Sequence, residues 1–123
     1  MRSLKNQSFL TRLRFAGAGL IVGLKAEHSL RFQFIALAGI LVVLIAFKPE
    51  PVWWALVALS SAAVISAEFF NTAVEHLADH VHPELHPTIG LVKDCAAAAV
   101  LIASIGALAV AVALAVHLVN GPK

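Results

Sequence analysis

From Val52 to Ala67 the chain reads VWWALVALSSAAVISA, and it runs directly into Glu68-Phe69-Phe70-Asn71-Thr72-Ala73-Val74-Glu75. Its carboxylates therefore begin where lipid is expected. At roughly 100° per residue, Glu68, Asn71, Glu75 and Asp79 fall at about 0°, −60°, −20° and +20°, one narrow stripe of a helix. Phe69, Phe70, Val74 and Leu77 lie mostly elsewhere around it. An ionisable side chain at membrane depth costs about 2.5–3.5 kcal/mol even on insertion scales. Three carboxylates and an amide on one face point to a site at the membrane boundary. The plainer alternative is a helix leaving the bilayer with its acids already in water.

Composition agrees with an integral membrane protein. The 123 residues are 60% hydrophobic and 13% charged, with a mean hydropathy of +0.89. A soluble domain of this size would have little polar surface to show to water. One domain is enough. The single cysteine, Cys95, excludes an intramolecular disulfide framework. No cleavable signal is expected, because Arg and Lys are scattered through the N-terminal segment without a compact apolar core. The net charge of +2 is small, and no nucleic-acid partner is expected. Its distribution is uneven: Arg2, Lys5, Arg12, Arg14, Lys25 and Arg31 all precede the first long apolar run.

Working outward, residues 1–31 read as a basic amphipathic surface segment. Its longest charge-free run, Phe15 to Leu24, would reach only about 15 Å as a helix, half of a hydrocarbon core of about 30 Å. An interfacial helix on an anionic leaflet suits it better than a span. Gly17, Gly19 and Gly23 have the wrong spacing for a nucleotide loop and read as close-packing or flexible positions. Spans are expected at about 32–47, 52–75 and 95–119. Lys48-Pro49-Glu50-Pro51 separates the first two, and Trp53 and Trp54 sit where an interface belt is expected. The polar stretch His80–Thr88, with two prolines, reads as a loop, and Lys93-Asp94 as the opening of the last helix. Ala99, Ala103, Ala107, Ala111 and Ala115 form a small-residue stripe that permits close helix approach.

Three spans put the two chain ends on opposite sides, and the basic N-terminal segment places itself in the cytoplasm. Glu68 to Asp79, the following connector, Lys93-Asp94 and Glu27 then share the cytoplasmic face, where ATP is found. Phosphoryl transfer needs a divalent ion, donors for the phosphates and a group to orient or deprotonate the acceptor. Glu75 and Glu27 are a candidate Mg²⁺ pair, since that ion takes one or two carboxylates plus phosphate oxygens. Lys93 is placed to face phosphates, Asn71 to orient them, and Glu68, the deepest, to meet a lipid hydroxyl. Ordinary roles are also open, with Asp94 as a helix N-terminal charge and Lys93 as an interfacial anchor. A rival reading takes His76, His80, His82 and His86, with Glu75 and Asp79, as the cluster of a divalent-metal transporter or sensor. A third, a structural membrane protein, explains the alanine stripe but not the carboxylates.

Taken together, Glu68-x-x-Asn71-Thr72-Ala73-Val74-Glu75-x-x-x-Asp79, Pro83-Glu84-Leu85-His86-Pro87 and Val92-Lys93-Asp94 resemble the signature of the small bacterial integral-membrane diacylglycerol kinases. That family includes the similar undecaprenol kinases. The resemblance continues upstream through Gly19-Leu20 and Glu27-x-x-x-Arg31-x-Gln33. It implies an all-α membrane protein with an amphipathic N-terminal surface helix and three transmembrane helices. It also implies a homotrimer with active sites shared across subunits in the bacterial inner membrane, N-terminus cytoplasmic. The implied activity is ATP-dependent phosphorylation of a lipid hydroxyl, with Mg²⁺ and ATP. Diacylglycerol is the favoured acceptor and undecaprenol the alternative, the pair His86-Pro87 resembling the latter branch. By the resemblance, Glu68 is the general base and Glu27 and Glu75 hold the metal on the nucleotide. Glu84, Leu85, His86, Lys93 and Asp94 approach the nucleotide, and Asn71 and Asp79 support the constellation. Arg31 and Gln33 line the lipid's path, although Gln33 stands where an acidic or histidine residue is common.

Overall fold

The computed structural model describes residues 6 to 121; the basic residues Arg2 and Lys5 lie outside them. The described residues form four helices, α1 (Phe9–Ala26), α2 (His28–Phe47), α3 (Pro51–Val81) and α4 (Pro87–Asn120). The last three are long and apolar enough to cross a membrane. With 20, 31 and 34 residues, they extend about 30, 46 and 51 Å at 1.5 Å per residue. Both α3 and α4 exceed a hydrocarbon core of about 30 Å, so each projects a polar-capable end beyond it.

Local chemistry explains the boundaries, and several differ from those expected. Ser8 caps α1, its hydroxyl accepting from the Thr11 N–H at 3.3 Å. Helix α1 ends at Ala26, and residues 28–31, expected in the N-terminal segment, belong to α2. Between them Glu27 alone is extended, with φ −112° and ψ 120°. The break is held by Arg31, whose guanidinium donates to the carbonyls of Leu24 (3.2 Å) and Lys25 (2.9 Å). These are carbonyls that the end of α1 leaves without helical partners. Arg31 also meets His28 Nδ1 at 2.7 Å. Its guanidinium is thus used in clamping this corner.

At the other end of α2, Lys48 takes a left-handed conformation (φ 46°) and its N–H returns to the Leu44 carbonyl at 2.8 Å. Pro49 then prevents continuation, and Pro51 starts α3 at a position where its missing N–H costs nothing. Helix α3 runs to Val81, past the end expected for the second span at about residue 75. The last helix begins at Pro87, not near Cys95. Pro87 opens that helix for the same reason Pro51 opens α3, and the His86 ring accepts from the Thr88 N–H at 3.2 Å. The loop shrinks to residues 82–86. Asp94 consequently lies about two turns inside α4, beyond the first-turn reach of the helix dipole, so the N-terminal-charge role falls away.

Helix α3 packs most extensively on α4 and next on α2, while α1 meets α2 at the corner. Leu44, Val57 and Leu114 form the buried core, with Ile40, Trp53, Val110 and Leu118 around it. The Trp53 and His117 rings lie 5.1 Å apart beside it. This core sits at the end of the bundle closed by the Lys48–Pro51 turn. Elsewhere large apolar side chains face outward; Ile35, Leu59 and Ile102 are 71%, 70% and 70% exposed. In water such a surface would be a severe liability, whereas lipid or a second apolar surface accepts it.

Candidate active site

The polar residues gather at the opposite end. Glu68 lies about 26 Å along α3 from Pro51 at 1.5 Å per residue, close to the far edge of a hydrocarbon core. It is the one buried charged residue among those described, with 7% of its surface exposed. Its Oε2 accepts a hydrogen bond of 3.0 Å from the Ser29 hydroxyl in the first turn of α2. One turn further, Asn71 Oδ1 is buried and has no hydrogen-bond partner. An unpartnered buried amide oxygen costs about 1–3 kcal/mol, and such atoms often mark a site completed by another group. Glu75 is half-buried on the same stripe, and Asp79 is exposed.

Lys93 reaches this stripe from α4 and pairs with Asp79 at 2.5 Å. The pair links α3 to α4 at this end and joins two of the residues singled out from sequence. Glu27 is half-buried at the α1–α2 corner, two residues before Ser29, so the corner that carries it is the one in contact with Glu68. Asp94, Glu84 and Leu85 are exposed, the last fully. His86 is occupied as the cap of α4. Gln33 lies deeper, lining a groove of about 290 Å³ with Ser60, Ser61, Val64 and Ser104 between α2, α3 and α4.

Two features escaped the sequence. Ser29 was one serine among several, and nothing in its neighbourhood marked it as a partner of Glu68. Gly23 was one of three nearby glycines, but only here does the structure demand glycine: a Cβ would overlap the Phe69 ring and stand 3.0 Å from Leu30 Cδ1. Gly17 and Gly19 have open space instead. The contact seats α1 against α3 immediately beside Glu68, and a second groove of about 420 Å³ runs along it, past Phe15, Gly19, Thr72 and His76.

The histidine cluster does not assemble as a metal site. Among the described residues no three His, Cys, Asp or Glu side chains converge to hold an ion. His82 Nδ1 is engaged with the Glu84 carbonyl at 3.0 Å, and the His82 and His86 rings meet edge-on at 5.3 Å. They shape the loop.

A family profile described as Prokaryotic diacylglycerol kinase matches residues 14–115. The chain belongs to that family. Its members include enzymes similar to this chain with two different names. A Synechocystis diacylglycerol kinase is 31% identical over 104 residues, 84% of this chain and 59% of that protein. The Bacillus subtilis undecaprenol kinase is 29% identical over 87 residues, 71% of each chain. The chain thus spans about three-fifths of the length of the first relative. The matched stretch of the family profile contains the whole α1–α2 corner, the acidic stripe and Lys93.

Proposed function

We propose that this protein is an ATP-dependent lipid kinase that transfers the γ-phosphoryl group to the hydroxyl of diacylglycerol, giving phosphatidic acid. The observation that carries the reading is the buried Glu68 carboxylate at the edge of the apolar length of α3, in a chain of this family. A lipid hydroxyl anchored by its tails arrives at that depth, whereas a soluble acceptor does not. Glu68, as a positioned general base, takes the hydroxyl proton as the oxygen attacks the γ-phosphorus and the bond to the bridging oxygen breaks, releasing ADP. Asn71 Oδ1, buried and unpaired, is available to orient a donor of the bound substrates.

The hard oxygen donors Glu27 and Glu75 suit Mg²⁺, which takes one or two carboxylates and completes its shell with phosphate oxygens and water. When bound with ATP, the ion supplies neutralising charge at the phosphates. Lys93 adds a cation at the same end, exchanging its Asp79 partner for phosphate oxygens. Glu84, Leu85, His86 and Asp94 flank the nucleotide from the loop and α4, and Arg31 and Gln33 border the lipid's path.

A homotrimer with sites shared between subunits completes the reading, and the outward apolar surface offers faces for lipid or a neighbouring subunit. Basic residues on α1 (Arg12, Arg14 and Lys25) support a surface helix on the cytoplasmic side of the bacterial inner membrane, by the positive-inside bias. The Bacillus subtilis relative favours a second acceptor, undecaprenol, on the same residues. Discrimination between apolar tails is modest per methylene, so a tail groove alone separates the two acceptors weakly. The test is purified protein in nanodiscs with MgATP and each lipid in turn, following label from the γ-phosphate into the lipid. Label in diacylglycerol with little in undecaprenol supports the reading, the converse supports the second acceptor, and label in neither overturns both.

A further inference from the structure

We propose that Ser29 is a positioning residue for Glu68, holding one carboxylate oxygen so that the other faces the acceptor; this rests on the reading of Glu68 as the base. The Ser29 hydroxyl donates to Glu68 Oε2 at 3.0 Å across 39 residues of sequence. Ser29 stands at the surface while Glu68 is only 7% exposed, so the hydroxyl reaches inward to a carboxylate that needs hydrogen bonds.

The contact is built rather than incidental. Leu30, the next residue, is fully buried and lies at Gly23, where Phe69 of α3 closes against α1. Arg31 ties the same turn of α2 to the Leu24 and Lys25 carbonyls. The turn that carries Ser29 is therefore held at its next two residues, Leu30 by an apolar seat and Arg31 by its guanidinium clamp. A carboxylate offers about four acceptor directions on its two oxygens. A hydroxyl on Oε2 fixes the plane of the group and leaves Oε1 to receive a proton. Serine suits the task because its hydroxyl donates without adding a charge that would compete for the carboxylate.

The experiment is a double-mutant cycle on the full chain in nanodiscs, with MgATP and diacylglycerol: wild type, Ser29→Ala, Ser29→Thr, Glu68→Gln and the Ser29→Ala/Glu68→Gln double variant. Ser29→Ala is expected to lower kcat by about 10–100-fold, the usual effect of losing an orienting hydrogen bond, with the KM for MgATP within about twofold. Ser29→Thr keeps the hydroxyl and restores most of kcat. In the Glu68→Gln background, Ser29→Ala should cost nothing more, because the group it positions is already gone. Losses that multiply in the double variant, or a kcat for Ser29→Ala within twofold of wild type beside a crippled Glu68→Gln, overturn the positioning role and leave Glu68 as the base. Near-normal turnover in Glu68→Gln itself overturns the base reading instead.

Discussion

The two ends of the bundle are built on different principles. At one, Leu44, Val57 and Leu114 interlock under a tight Lys48–Pro51 turn, and the helices meet there chiefly through apolar packing. At the other, helices meet through single polar contacts: Ser29 to Glu68, Lys93 to Asp79, and Arg31 to the end of α1. Between lipid-facing helices there is little hydrophobic drive to association, so close packing and hydrogen bonds must hold them. The apolar end uses the first and can be rigid without cost to function. The polar end uses the second, leaves Asn71 Oδ1 without a partner, and keeps carboxylates where ligands can reach them. The apolar core and the candidate site are thereby separated along the length of α3.

The largest expected effect tests that separation directly. Glu68→Gln keeps size and hydrogen bonding but cannot take a proton, so turnover should fall by roughly 10²–10⁴ while nucleotide affinity holds. Thermal stability should not fall, because a neutral amide is less costly to bury than a carboxylate. Leu114→Ala is its mirror image: a lower Tm from the cavity left in the core, with kcat preserved. Steady-state kinetics and melting curves on both variants check the pair. A Leu114→Ala protein that melts normally but loses turnover would show the ends to be coupled.

Next come Glu27→Gln and Glu75→Gln. If these carboxylates hold the ion, each change should weaken apparent MgATP affinity by about 10–100-fold, the scale of one lost charge-assisted contact. High Mg²⁺ should recover part of it. Titrating Mg²⁺ at fixed ATP distinguishes this from Glu68→Gln, whose defect no concentration of metal repairs.

How much of this was legible in the sequence follows the same division. The apolar end declared itself: Lys48-Pro49-Glu50-Pro51 ends one helix and starts another by backbone chemistry alone. The stripe from Glu68 to Asp79 was equally plain, because helical period is a local property. The errors fell at Glu27 and Pro87. No proline or glycine marks the break at Glu27, since a guanidinium from the next helix makes it, and such a clamp is invisible until the chain has folded. Pro87 carries a real signal, but the same residue type breaks a helix inside and starts one at its first turn. The Ser29–Glu68 bond joins residues 39 positions apart, which no pattern within one helix can show.

A smaller effect is expected at Gly23. Gly23→Ala forces a methyl into the Phe69 ring, and overpacking of this kind costs about 1–3 kcal/mol. The cost should appear as a lower Tm together with a several-fold loss of kcat, because the seat of α1 beside Glu68 shifts. Gly19→Ala, with open space around it, is the control and should stabilise α1 slightly through helix propensity. Indistinguishable melting of the two variants would remove the Gly23–Phe69 contact as a determinant of the site.

The smallest effect belongs to the Asp79–Lys93 pair. It is short, at 2.5 Å, but its side chains are 64% and 34% exposed. An ion pair so open to water is screened by salt and is worth about 0–1 kcal/mol. Asp79→Asn should therefore move Tm little, and less still at high ionic strength. If the pair is only a staple between α3 and α4, Lys93→Met should match Asp79→Asn in every assay. If Lys93 exchanges Asp79 for phosphate oxygens, the two variants part. Lys93→Met loses a cation from the nucleotide and its KM for MgATP rises by about tenfold or more, as for other hydrogen bonds to charged groups. Asp79→Asn frees the ammonium from its competitor and should leave that KM unchanged or lower. Equal KM values for both variants would reduce Lys93 to a structural residue and shift phosphate binding to groups at the α1–α2 corner or to a neighbouring subunit.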